Sequence, residues 1–180
     1  MRRILPFVLL FTLSSAGALG QSDDEIHAAV QKAVRAYSLN EIQSSVQSGA
    51  VTLTGSVDLC RDRLLAIEMV KRIHGVKLID DGIQVAGPDI PDPQLKTQID
   101  RIISDRIQKL GGFGYGSIKA KVSNGEVTLS GSASPVLAEP AVDAIAGIQG
   151  VRNLIDHVLR VRYHQTIWPP LMTAETPGIR

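Results

Sequence analysis

A single cysteine, Cys60, in 180 residues leaves no partner for an intramolecular disulfide and no basis for a multi-cysteine zinc or iron–sulfur site. Aromatic residues are scarce, 4% of the chain, so the position of each carries information. Neither sign of charge dominates. The 19 lysines and arginines against 18 aspartates and glutamates give a net charge of +1, too little to meet many phosphates of bulk nucleic acid. Sixteen glycines and nine prolines are too few for a collagen-like or disordered chain. The histidines His27, His74, His157 and His164 are scattered without ligand-like spacing, and no nucleophile–base set stands out. Asp80-Asp81 lacks the spaced oxygen ligands of a calcium loop and reads as a solvated turn. No cofactor, metal, nucleic acid or small-molecule substrate is expected, and no enzymatic activity.

The long apolar run sits at the N-terminus. Arg2 and Arg3 precede Ile4–Leu13, which is followed by the small residues Ser14–Gly20 and the polar stretch Gln21–Glu25. A charged start, a short apolar segment and a small-residue exit are the parts of a secretory signal peptide, here 1–20. The run is too short to span ~30 Å of hydrocarbon. The expectation is export, with the mature protein in the periplasm.

The remainder is one pattern written twice. Gly49–Val57 (GAVTLTGSV) matches Gly125–Ala133 (GEVTLSGSA) at an offset of 76. Ile67, Val70, Ile73, Gly75-Val76 and Ile83 match Val142, Ile145, Ile148, Gly150-Val151 and Val158 at an offset of 75. Two homologous units follow, at 21–87 and 94–163, joined by a proline-rich linker at 88–93 and followed by a tail at 164–180.

Within each unit the hydrophobic period changes in the same order. Ile26, Ala29, Val30, Ala33, Val34 and Tyr37 recur at helical spacing behind Ser22-Asp23-Asp24-Glu25, which supplies N-cap and acidic first-turn residues. Leu95, Ile99, Ile102, Ile103, Ile107 and Leu110 repeat this in the second unit. Two alternating strands follow around a tight turn. Asn124-Gly125 there is a strong hairpin signal, and it sets Val46 against Val51 and Val122 against Val127. A second helix then carries Leu64, Ile67, Val70 and Ile73, or Val142, Ile145 and Ile148. Gly75 and Gly150 stand where its C-cap is expected, and a last strand closes each unit. Pro135 and Pro140 interrupt the second copy, predicting a shorter helix that begins near Pro140 and a partly apolar loop at Pro135-Val136-Leu137. The fold class is therefore α+β: two tandem αββαβ units, each with two helices on one face of a small mixed sheet.

This order, with Val51, Leu53, Gly55, Val57, Gly75 and Val76 answered by Val127, Leu129, Gly131, Ala133, Gly150 and Val151, resembles the BON (bacterial OsmY and nodulation) domain. Two such units behind a secretion signal are similar to the OsmY-like periplasmic proteins. The resemblance implies a non-catalytic module associated with phospholipid binding, envelope maintenance and osmotic stress. The glycines Gly55, Gly75, Gly131 and Gly150 are fold residues rather than site residues.

Candidate binding residues gather in the second unit, whose 92–163 segment has a charge balance of +2 against −2 for 21–87. Its link between first helix and first strand is seven residues longer and reads Gly111-Gly112-Phe113-Gly114-Tyr115-Gly116. No Gly-Lys-Ser/Thr follows, so it is not a phosphate-binding loop. Either a ring folds onto the core, or the loop presents Phe113 and Tyr115 beside Lys119 and Lys121, with Lys109 nearby, to a membrane interface. Arg152, Arg160 and Arg162 share strand parity and would form a cationic stripe, either a solvated face or a surface for lipid headgroups or an acidic partner. Trp168, in the tail, either seals the back of a domain, the favoured reading, or contacts a partner or lipid. Cys60 is read as an inert, semi-buried cysteine, the alternative being a free thiol or an intermolecular disulfide after export. The expected partner is an anionic phospholipid membrane surface or an envelope protein. The alternative is a chaperone-like or protein-interaction module using sheet edges or the Pro135–Leu137 loop.

Overall fold

The computed structural model describes residues 22–111 and 114–161. The expected signal peptide at 1–20, Phe113, Arg162 and the tail with Trp168 lie outside the described residues. The first unit runs α1 (Asp23–Ala36), β1 (Gln43–Gln47), β2 (Ala50–Val57), α2 (Cys60–Lys71) and β3 (Leu78–Val85). The second repeats the order as α3 (Asp92–Lys109), β4 (Gly116–Ser123), β5 (Glu126–Ala133), α4 (Pro135–Ala146) and β6 (Asn153–Arg160). Each unit holds one three-stranded mixed sheet. The hairpin partner is antiparallel to the central strand, and the last strand is parallel to it, reached through the helical crossover that a parallel pair needs.

Helix α1 starts at a capping box: Ser22 Oγ accepts from the Glu25 N–H at 3.3 Å, and the Ser22 N–H donates to Glu25 Oε2 at 3.1 Å. Its buried stripe is Ile26, Val30 and Val34, matched in α3 by Leu95, Ile99 and Ile103. Tyr37, expected on that stripe, instead occupies the C-cap and is exposed. These stripes cover Val51, Leu53 and Val57 in one sheet and Val127, Leu129 and Ala133 in the other. The hairpin register is the expected one, Val46 opposite Val51 and Val122 opposite Val127. Both turns, Ser48-Gly49 and Asn124-Gly125, have two successive positive φ angles, which matches the right-handed twist of the flanking strands.

A carboxylate secures each turn. Asp23 accepts the N–H groups of Ser48 and Gly49 at 2.6 and 2.9 Å, and Asp92 accepts those of Asn124 and Gly125 at 2.8 and 3.1 Å. Gly55 and Gly131 have φ near +120°, and a Cβ there would fall 2.1 Å from Glu41 O or 2.3 Å from Ser117 O. No side chain fits these strand positions.

Four expectations are corrected. The second-copy helix is not shortened: α4 has 12 residues, as does α2, because Pro135 starts it and Pro140 is accommodated inside. Proline at the first helical position lacks only an N–H that would have been unsatisfied. Leu137 therefore lies fully buried in the core rather than in an apolar loop, and Val136 alone of that trio is an exposed large hydrophobic. Gly75 and Gly150 are not helix C-caps; Arg72 and Gly147 take that position. Each instead has φ +88° within a turn closed by Val76 N–H to Ile73 O or Val151 N–H to Ile148 O, where only a left-handed residue turns the chain into the strand. The extra length of the second unit is not an inserted loop either. The helix-to-strand links cover six residues in both copies, 37–42 and 110–115, and the additional residues extend α3 to 18 residues and β4 to 8. Finally, Asp92 and Pro93 form the first turn of α3 rather than part of a linker.

The units are packed together. Cys60, on α2, is fully buried within the second unit's core cluster, with Leu64, Val85 and Ile90 against it. Arg63 binds Asp81 at 2.8 Å and reaches Asn153 at 3.5 Å across the boundary. Burial raises the Cys60 thiol above its ordinary pKa, only partly offset by Arg63, so it stays protonated at neutral pH.

A candidate binding face on the second sheet

Helices cover one face of each sheet and leave the other open, so residues of the opposite parity project outward from the strands. In the second unit the register lines these up in three rows. Lys119, Ser130 and His157 stand side by side across β4, β5 and β6; Lys121, Thr128 and Ile155 form the next row; Ser117, Ser132 and Leu159 form the third. Lys119, Lys121, Ser130, His157 and Leu159 are exposed. Neither lysine makes an ion pair among the described residues. The matching positions in the first unit read Gln43–Thr54–Gly82, Ser45–Thr52–Asp80 and Glu41–Ser56–Gln84, with Ser56 Oγ donating to Glu41 Oε2 at 2.9 Å. The second unit's face thus carries Lys119 and Lys121, with Glu126 in a further row beside Asn153, where the matching positions of the first unit carry Asp80 and Glu41.

The other expected cations do not join this face. Arg152 precedes β6 and binds Asp89 at 3.3 Å. Arg160 is folded back on its own unit: Nε donates to Glu139 at 3.0 Å, Nη2 to Asp156 at 2.5 Å, and Nη1 to Val158 O at 2.7 Å. These bonds, the one to Asp156 foremost, hold its guanidinium charged. Burial pushes the Asp156 carboxyl up, but Arg160 and the Val158 N–H outweigh that and leave its pKa below the ordinary carboxylate value. The anticipated stripe of Arg152, Arg160 and Arg162 is therefore absent among the described residues, since two of its members are neutralised. Lys109 pairs with Asp105 at 2.8 Å. Tyr115 is half-buried and packs on the second core, and its carbonyl accepts the Ser134 N–H at 2.8 Å. The lysines were legible as candidates; His157 and Leu159 beside them were not, because only the β5–β6 register reveals them as neighbours.

Among the described residues no group of three or more His, Cys, Asp or Glu side chains is arranged to hold a metal ion, and no helix is long and apolar enough to cross a membrane.

A search of curated proteins returns no match. Two solved structures of CdsD, a structural protein of the type III secretion system of Chlamydia trachomatis, are each 16% identical to this chain with a TM-score of 0.29. One is of its C-terminal domain. The matches cover 79% and 78% of this chain, and 68% and 64% of those chains. The family model of the BON domain matches twice, over residues 22–87 and 95–162, the two units whose strands, turns and glycines coincide in the fold. This chain belongs to the BON-domain family and carries two of its domains in tandem.

Proposed function

We propose that this protein is a non-catalytic module of the cell envelope that binds anionic phospholipid through the open sheet face of its second domain. BON domains are generally non-catalytic and are associated with phospholipid binding and with envelope and osmotic-stress proteins. The observation that carries the reading is the pair Lys119 and Lys121, exposed and without ion pairs among the described residues, in rows completed by hydroxyls, His157 and the apolar Ile155 and Leu159. Cations beside apolar side chains suit the boundary between headgroup and acyl chain. The first domain, with no lysine or arginine on the matching rows, serves as support rather than as a second lipid site. The signal-like N-terminus favours a periplasmic setting, on the same side of the inner membrane as such a surface.

Co-sedimentation with vesicles tests this. The protein should pellet with vesicles containing anionic lipid at low salt and be released as salt rises. Lys119→Glu/Lys121→Glu should remain in the supernatant, whereas Arg152→Glu, which alters a cation already paired, should behave as the parent. Equal recovery with neutral and anionic vesicles would overturn the proposal. Suppression of a client protein's aggregation without lipid affinity would replace it with the chaperone-like reading.

A further inference from the structure

The contact between the two domains is one-directional. The first domain offers the start of α2, with Cys60 and Leu64 lying against the second core and a backbone hydrogen bond linking the Cys60 sulfur to Leu154. On the second domain's side, Leu154 lies beside Cys60, in a buried cluster that also holds Ala146 and Val151. Because the sequence repeats at an offset of 75 here, each surface has a counterpart at the opposite end of the molecule.

The counterpart of the receiving surface lies between α2 and β3, where Lys71, Val76 and Ile79 replace Ala146, Val151 and Leu154. There a cavity of about 320 Å³ is lined by Ile67, Val76, Leu78 and Ile79 together with Lys71, Lys77 and Asp81. Leu78 is 63% exposed although it occupies the place of Asn153, which Arg63 meets at the internal boundary. The counterpart of the offered surface is the start of α4, where Pro135, Val136 and Glu139 correspond to Cys60, Arg61 and Leu64. Val136 is 62% exposed. Two of the four exposed large hydrophobics among the described residues, Leu78 and Val136, thus stand at the positions that Asn153 and Arg61 hold around the internal contact.

We infer that a second copy of this chain docks in this groove, the start of α4 of one copy seated between α2 and β3 of the next. The geometry continues the internal contact. Such a heterologous interface leaves one groove and one α4 face free at the ends, so it propagates into a ring or an open string rather than stopping at a dimer.

Sedimentation of the protein without lipid, over a wide concentration range, tests this. The parent should form species larger than a dimer as concentration rises. Leu78→Glu and Val136→Glu each alter an exposed side chain, so the folded circular-dichroism spectrum should persist while each variant sediments as a monomer. Mixing the two variants should restore a dimer and nothing larger, because one keeps the groove and the other keeps the α4 face. A parent that is monomeric throughout, variants that assemble as the parent does, or a mixture that stays monomeric would overturn the inference. So would a monomeric parent whose vesicle or client-protein binding is lost in Leu78→Glu, which would assign the groove to that other occupant.

Discussion

Asp92 reaches 32 residues along the chain to hold Asn124, one carboxylate oxygen accepting its N–H at 2.8 Å while the other takes the next N–H at 3.1 Å. The first residue of a helix thereby fixes the hairpin beneath it, and Asp23 does the same for Ser48 and Gly49. Charge-assisted bonds to backbone N–H groups are roughly twice as strong as neutral ones. Asp92→Ala should destabilise the protein by about 1–3 kcal/mol in urea unfolding, and Asp92→Asn by less, since one oxygen remains.

Gly131→Ala is expected to cost upward of ~2 kcal/mol, because a Cβ would collide with Ser117 O at a φ that L-residues rarely adopt. Gly55→Ala should behave alike against Glu41 O. Gly111→Ala, where φ is also positive but nothing lies within 4 Å, should cost roughly 1 kcal/mol from backbone strain alone. Thermal denaturation of the three variants separates collision from strain.

Within β6, Asp156 accepts from Arg160 Nη1 and from the Val158 N–H, each at 2.9 Å. Its folded pKa is lowered, so its contribution is complete above the unfolded carboxylate value of about 3.9 and is lost as pH falls through the lower folded value. Asp156→Asn should lower stability at neutral pH by about 1 kcal/mol, allowing for partial exposure, and flatten the acid limb of the stability curve. Chemical denaturation from neutral to acidic pH checks both.

The Cys60 thiol reports the domain boundary. In the native protein it should react with a thiol reagent far more slowly than in the unfolded chain, because it is buried and protonated. Leu64→Ala loosens the contact that covers it and should speed labelling about tenfold, consistent with a loss of about 1.5 kcal/mol at a half-buried leucine.

For the lipid face, Lys119→Gln/Lys121→Gln should weaken binding to anionic vesicles by about 2 kcal/mol, near 30-fold, at ~1 kcal/mol per cation. The difference should shrink as salt rises. Titrations at two salt concentrations measure it.

The repeat, the helical stripes, the hairpin register and the mixed αββαβ units were legible because period and turn chemistry are local signals. Pro140 misled because tertiary packing outweighs a local helix breaker: Leu137 and Ala138, both fully buried, anchor α4 upstream of it. The extra residues of the second copy were read as a loop from their glycines, whereas added turns of α3 and added pairs in β4 absorb them. The arginine stripe failed for a different reason. Strand parity predicts on which side a residue leaves the sheet, but not that Arg160 curls back to Glu139 and Asp156. The Asp92–Asn124 bond joins positions far apart in sequence and leaves no periodic trace.

Cys60 lying within the second core also makes the two domains unequal partners in folding. The first domain draws its core from its own residues, between Ile26 and Val85. The second cannot complete its core without α2 already in place. The earlier half therefore serves as an internal scaffold for the later one, and the Val151–Leu154 cleft meets its cover as it forms.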